Sequence, residues 1–289
     1  YLWHYSAKMA QVNDDPGRFL VFLGEEWTST FEEYSDEHPY GFYGHRNLIL
    51  SDLHFPRWWN AQNYETPEQV WNALHELDAN FVHIPHQLAD TGNVPNDLSH
   101  QNEHDQPVAE IFQARGSYEY PDCPRMAKAT TMDPKDFIQG HWADGTIIGV
   151  IASPDHGGGN GKACVFAPEL TREAVLDAIR ARHTYGTTAA KIFLDVRVNG
   201  HLMGDKAGKL PEKVTIDITA DCPGEIAEVV VFRNNEPIFT IAPDSTTFEK
   251  QVTDTEPRLH ENGMSWYYVR VQQADEEIAW TSPVWFGVE

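Results

Sequence analysis

Apolar positions change their period near residue 191. Upstream of it the apolar runs are short and unbroken, and polar residues follow or close each one. Phe19-Leu20-Val21-Phe22-Leu23 ends at Gly24-Glu25-Glu26-Trp27, and Gly44-His45-Arg46-Asn47 leads into the strand Asn47-Leu48-Ile49-Leu50. Unbroken runs of this length read as strands buried on both faces. Thr66-Pro67-Glu68-Gln69 has the form of a capping box with proline at the first helical position, and Val70, Leu74 and Leu77 then share one helical face. Asp78-Ala79-Asn80 ends that helix, Phe81-Val82-His83-Ile84 follows as a strand, and Pro85 is expected to stop it. Val108 to Phe112 and Ile147 to Ala152 predict two more strands. Thr171 to Arg182 predicts the best helix, with Val175, Leu176 and Ile179 inward and Arg180 and Arg182 in the last turn.

Beyond residue 191 the pattern alternates. Ile192 to Val198 and Val214 to Thr219 place apolar and polar residues in turn, and Val229 to Arg233, Ile238 to Ile241, Phe248 to Val252 and Trp266 to Val271 continue the series. Turn signals separate them, among them Asn199-Gly200, Asn234-Asn235 and Glu261-Asn262-Gly263. The spacing predicts a small antiparallel β-sandwich over 191–289. For residues 1–190, a strand followed by a polar group, repeated along the chain, predicts an α/β domain that delivers its chemistry to one rim.

Composition narrows the classes. A chain of 289 residues with 41% hydrophobic positions and nine Trp is long enough for a large core, and for two domains. Its formal charge of −23, from 44 acidic and 21 basic residues, repels nucleic acid and anionic membranes. The same charge leans toward a periplasmic or extracellular setting, although solubility alone accounts for it. No run of about 18 apolar residues is present to make a spanning helix. Cys123, Cys164 and Cys222 show no CxxC spacing and cannot all pair within one chain. No basic and apolar leader precedes Tyr1-Leu2-Trp3-His4, so the chain reads as a trimmed or internally started piece.

Chemistry concentrates upstream, where 12 of the 14 histidines precede residue 200. Glu26, His45, His86, Asp155 and His156 supply carboxylates and imidazoles near strand ends. Zinc, manganese or iron accepts such mixed nitrogen and oxygen sets, and two or three ions close together clamp an ester while activating water. Taken singly, Glu26 reads more often as a solvated surface carboxylate than as a ligand, and His45 more often as a structural residue; Asp155-His156, after a buried strand, is the strongest pair. No HExxH, GxSxG, P-loop or GxGxxG motif is present.

Phe22-Leu23-Gly24-Glu25-Glu26-Trp27, Gly44-His45-Arg46-Asn47, Ile84-Pro85-His86, Ile151-Ala152-Ser153-Pro154-Asp155-His156, Leu170 to Ala174 through Arg182 to Thr188, and Ala279 to Trp285 together resemble an uncharacterised branch of the PHP (polymerase and histidinol phosphatase) metallohydrolases. The resemblance implies a distorted PHP-type β/α barrel, two or three divalent ions, and hydrolysis of phosphoesters or related small-molecule esters. It makes Glu26 a bridging carboxylate, His45 and His86 imidazole ligands, and Asp155 and His156 a terminal pair. Arg115 and Glu119 resemble a rim segment for an anionic group. His83 or His183 would serve to protonate a leaving group. The family's opening His-x-His strand is lacking, so the resemblance also implies an incomplete barrel that an amino-terminal fragment or a partner chain would complete.

Three functions follow as expectations. The first is a metal-dependent hydrolase. The second is a non-catalytic binding or assembly protein whose sandwich mediates contacts, a homo-oligomer included. The third is carbohydrate binding at Trp58-Trp59, against which stands the usual role of clustered Trp in cores.

Overall fold

In a computed structural model, residues 2–28, 43–55, 64–92, 95–155 and 160–288 are described. Trp58-Trp59, His156 and Gly157-Gly158-Gly159 fall outside them. Helix α1 (Leu2–Asn13) buries only Ala7 and Ala10, so no strong apolar stripe announces it in the sequence. Strand β1 (Leu23–Thr28), strand β2 (His45–Leu50), helix α2 (Pro67–His75) and strand β3 (Phe81–His86) follow. The three strands pair antiparallel in the order β1-β2-β3. The run from Phe19 therefore feeds into a strand that starts at its last residue, and Glu26 lies inside β1 instead of beyond a strand end. Helix α2 begins as expected: Thr66 accepts the amide of Gln69, the Gln69 side chain reaches back to the cap, and Pro67 opens the first turn.

Pro85 does not stop β3, which continues to His86. The strand is at the edge of its sheet, where a missing N–H is tolerated. This continuation fixes which side chains share a face. Antiparallel register sets Thr28 opposite His45 and His45 opposite His86, so Glu26, His45, Asn47, Ile84 and His86 lie on one face. Trp27, Arg46, Leu48 and His83 lie on the other.

Strands β4 (Val108–Gln113) and β5 (Gly116–Ser117), helix α3 (Ile138–Ala143) and strand β6 (Gly149–Ala152) build a second sheet, ordered β5-β4-β6. Its β4–β6 pair is the single parallel pair of strands among the described residues. Strand β7 (Lys162–Val165), helix α4 (Arg172–Arg180) and strand β8 (Thr184–Thr187) come next. Thr171 caps α4 by accepting the amide of Ala174, and Leu176 and Ile179 pack with Val82, Ile84, Val108 and Ile151. That small core holds the Ile84 and His86 face of the first sheet against β4.

The alternating half becomes strands β9 (Phe193–Val198), β10 (His201–Leu202), β11 (Val214–Arg233), β12 (Glu236–Ile241), β13 (Ser245–Asp254), β14 (Ser265–Gln273), β15 (Ile278–Thr281) and β16 (Val284–Phe286). Strand β11 is 20 residues long, merging two expected strands through register shifts between Asp221 and Glu228. Its first part pairs with β9 and β13, and its second with β12 and β14. Strands β8 and β7 join through β15, so the ten-stranded sheet crosses residue 190. Trp266, Tyr268, Trp280 and Trp285 from this sheet pack on Phe112, Trp142 and Ile148, filling one continuous core.

The expected α/β architecture, a distorted PHP-type β/α barrel followed by a sandwich, is therefore overturned. Strands dominate, helices are few, and the described strands pair antiparallel except β4 with β6. Unbroken apolar runs mark burial on both faces, and here α4 and neighbouring sheets cover antiparallel strands as fully as barrel helices cover parallel ones. A partner that completes a barrel has no barrel to complete. No helix among the described residues is long and apolar enough to cross a membrane.

Candidate metal centre

Side chains from three strands meet on the Glu26 face of the first sheet. Glu26 Oε1 lies 2.9 Å from His45 Nδ1 and 3.2 Å from His86 Nε2. One donor atom from each of the three falls within 4.8 Å of the others, and the two rings are 5.9 Å apart. Glu26 is 24% exposed while His45 and His86 are almost fully covered, so the cluster opens on its Glu26 side.

The turn before His45 is built for this approach. Gly44 has φ +76°, and a Cβ there would sit 2.7 Å from Asn96 Cα. Asn96 in turn donates from Nδ2 to the carbonyl of His86, tying the ends of β2 and β3 together.

Beneath the cluster lies Glu110, buried in the middle of β4. Its Oε1 accepts from Asn47 Nδ2 at 3.0 Å, and its Oε2 stands 3.7 Å from His86 Nδ1. That gap is too wide for a hydrogen bond; among the described residues neither atom meets another partner in hydrogen-bond geometry, although the Ser153 side chain is near enough to lower the Glu110 pKa. Asp155 Oδ2 accepts from Gln113 Nε2 at 2.8 Å and more weakly from Gln87 Nε2 at 3.4 Å. Gln87 and Asp155 both have left-handed backbone, φ 63° and 56°, which is uncommon for residues with side chains and concentrates at functional sites.

The electrostatics match the crowding. Burial is the largest influence on His86 and opposes its charge, but the Glu26 hydrogen bond and the fields of Glu110 and Asp155 overcome it, leaving its pKa above the ordinary imidazole value. Burial raises Glu110 most; His86 pulls it down and Asp155 pushes it up, with a net rise. With neutral imidazoles, Glu26, Glu110 and Asp155 gather as much as three negative charges in a largely covered space. Nitrogen and oxygen donors, two of them buried without hydrogen bonds, suit a divalent transition ion.

Of the residues expected from sequence, Glu26, His45 and His86 converge, and Asp155 stands close enough for its field to reach His86 and Glu110. Arg115 is next to the site: its amide donates to Gln113 Oε1, while its guanidinium lies 3.3 Å from Asp90 and is 41% exposed. His83 lies on the opposite face, accepting from Trp71 Nε1 at 3.1 Å. His183 Nε2 pairs with Asp205 at 2.8 Å. Glu119 is enclosed at the large sheet by Tyr268, Arg270 and Trp280. Sequence reasoning gave no site role to Glu110, Asn47, Gln87 or Gln113. For Glu110 a signal existed, since a carboxylate inside the apolar run Val108 to Phe112 is rarely buried without a partner.

Comparison with known proteins covers part of the chain. A family described as protein of unknown function (DUF3604) matches residues 125–207. An uncharacterized protein of Chlamydia pneumoniae is 30% identical over 139 residues, 43% of this chain and 22% of that protein. An uncharacterized protein of Chlamydia trachomatis is 28% identical over 141 residues, 44% of this chain and 23% of that protein. The match thus spans less than a quarter of these curated relatives' length. No solved structure matches the chain. These findings overturn the PHP metallohydrolase resemblance. The stretch Leu170 to Thr188, on which it leaned most, lies inside the DUF3604 match, and neither that family nor these relatives carry a PHP description. Asp155 and His183 fall within the matched residues; Glu26, His45, His86 and Glu110 fall before them.

Proposed function

We propose that the Glu26 cluster holds a divalent transition metal, zinc, manganese or iron, and that the protein hydrolyses phosphoesters or related esters. The observation that carries this reading is the convergence of Glu26, His45 and His86 from three strands onto one volume, backed by Glu110 and Asp155. Solvent reaches the cluster past Glu26, so a substrate would enter there. The ion, when bound, supplies Lewis acidity toward an ester or phosphoryl oxygen and eases deprotonation of water.

The chain's own groups do the rest. Glu26 faces the opening and is the carboxylate best placed to touch both a ligand and an incoming ester. His45 and His86 bind through nitrogen and are held by the pairing of their strands. Gln113 and Gln87 orient Asp155, and Asn47 orients Glu110, which keeps both carboxylates directed at the cluster. Arg115, a half-exposed cation beside the site of a strongly acidic protein, would anchor an anionic leaving or transferred group.

The test is hydrolysis by the full chain. Protein stripped with EDTA is reloaded separately with zinc, manganese and ferrous iron, and assayed on p-nitrophenyl phosphate, bis-p-nitrophenyl phosphate and p-nitrophenyl acetate. Metal-dependent turnover that His86→Ala abolishes supports the reading. Tight metal binding without turnover on any substrate favours the non-catalytic, assembly reading. Absence of both overturns the metal site itself.

A further inference from the structure

A second group of imidazoles lies apart from the Glu26 cluster. His75 is in the last turn of α2, and His104 and Asp105 are in the loop that leads into β4. His75 Nε2 is 2.9 Å from Asp105 Oδ2, and His104 Nδ1 is 2.9 Å from Asp105 Oδ1. One donor atom from each lies within 4.8 Å of the others. The Asp105 side chain is 1% exposed, whereas those of His75 and His104 are 47% and 66% exposed.

Burying a carboxylate is costly unless a cation or strong donors compensate it. Among the described residues no Lys or Arg pairs with Asp105; its side-chain partners are His75, His104 and Asn102 Nδ2, the last at 2.8 Å. The loop is also held in place before any ligand arrives. Asn102 Oδ1 accepts the amides of His104 and Asp105 at 2.9 and 3.2 Å, and the Asp105 carbonyl accepts the amide of His83 at 2.7 Å. A buried carboxylate held by its own loop is thus presented to two exposed imidazoles.

We propose that His75, His104 and Asp105 form a second divalent metal site, of the zinc type, that ties the end of α2 to the loop before β4. Two nitrogens and one carboxylate oxygen match zinc; calcium and magnesium, which prefer all-oxygen shells, are poorly served. Donors around tetrahedral zinc stand roughly 3.3 Å apart for bonds of about 2.0 to 2.1 Å. Each imidazole stands 2.9 Å from its own oxygen of Asp105, a few tenths of an ångström inside that spacing, and all three donor atoms fall within 4.8 Å, so exposed rings need only turn toward a shared ion. Asn102, which donates to Asp105 Oδ2, then orients the ligating carboxylate. Three protein donors leave a fourth position for water or an outside ligand.

The experiment measures binding, independent of any hydrolysis. EDTA-stripped full chain, wild type and the variants His75→Ala, His104→Ala and His86→Ala, is titrated with zinc by calorimetry and with cobalt by visible absorption. The expected result is that His75→Ala and His104→Ala each lose one equivalent of zinc, or weaken it more than about tenfold, because even outer-shell partners are worth that much. Zinc removed by His86→Ala should be retained in both. Stoichiometry, affinity and cobalt spectrum unchanged in both His75→Ala and His104→Ala would overturn the site, as would binding only at millimolar zinc. Should His75→Ala perturb α2, the exposed His104→Ala decides, with circular dichroism confirming its fold.

Discussion

Two of the regions in which this protein covers carboxylates do so differently. At the large sheet, Glu119 is fully enclosed and receives three side-chain donors: Tyr268 at 2.7 Å, and Arg270 and Trp280 at 2.9 Å each. Burial works against the Arg270 charge, but Glu119 beside it more than restores it, so its pKa rises above the ordinary guanidinium value. At the first sheet, Glu26, Glu110 and Asp155 face two imidazoles and a few amides, and among the described residues His86 Nδ1 and Glu110 Oε2 meet no partner in hydrogen-bond geometry. The contrast teaches how to tell a brace from a site. A buried carboxylate whose two oxygens are both taken joins elements together, whereas donors of several ligating side chains left unused close to each other leave room for an ion.

The largest effect should come from the brace. Glu119→Gln leaves buried Arg270 with only the part-exposed Glu228 as a carboxylate partner and is expected to cost about 3 kcal/mol in urea unfolding, with metal content unchanged. A loss below about 1 kcal/mol would erase the distinction. Next, His86→Ala should lower metal-dependent hydrolysis at least about a hundredfold, equivalent to roughly 2.7 kcal/mol, while circular dichroism shows a folded chain.

His83 separates the two faces of the first sheet by pH. Burial, then the Arg46 charge, hold its pKa well below the ordinary value, and its Nδ1 must stay unprotonated to accept from Trp71. A histidine whose folded pKa is depressed stays neutral in the native state while the unfolded chain takes up a proton. Stability should therefore fall as pH drops below the unfolded value of about 6.5 and continue falling toward the native pKa. His83→Asn, which keeps an acceptor for Trp71, should lose this part of the slope in urea midpoints measured from pH 8 to pH 5.

A smaller and opposite effect is expected at Glu110. In metal-stripped protein, Glu110→Gln should raise stability by about 1 kcal/mol, because it removes a buried charge that Asp155 disfavours and keeps the acceptor for Asn47. The same change should weaken metal binding. Least of all, His183→Ala, whose ring is taken by Asp205, should alter turnover less than about threefold. A larger drop would return it to the reaction.

Local signals were read from the chain with success where one element suffices. The Thr66 capping box, the Thr171 cap and the alternating strands beyond residue 191 each follow from short-range geometry. Strand direction was not readable, because a run such as Val108 to Phe112 records burial on both faces without saying whether its neighbours run parallel. Pro85 misled for a related reason: proline forbids a central ladder position, but only the assembled sheet shows that β3 is an edge. Two short strands separated by turn signals likewise turned out to be one bent strand, β11, whose register shifts let it serve two sets of neighbours.

What the sequence determined by itself is the inventory and its phase: carboxylates and imidazoles upstream, alternation downstream, an acidic surface, and helices that start where their caps stand. Which of those groups meet was decided by tertiary structure. His45 and His86 lie 41 positions apart and become neighbours because β2 and β3 pair in one particular register. A slip of one residue would send His86 to the face of Trp71 and Arg46, and the Glu26 cluster would not exist. Glu110 joins from a second sheet through packing of Ile84, Val108 and Ile151, contacts whose partners no local pattern names. Periodicity tells a residue which way to face; only the closed core tells it what it faces.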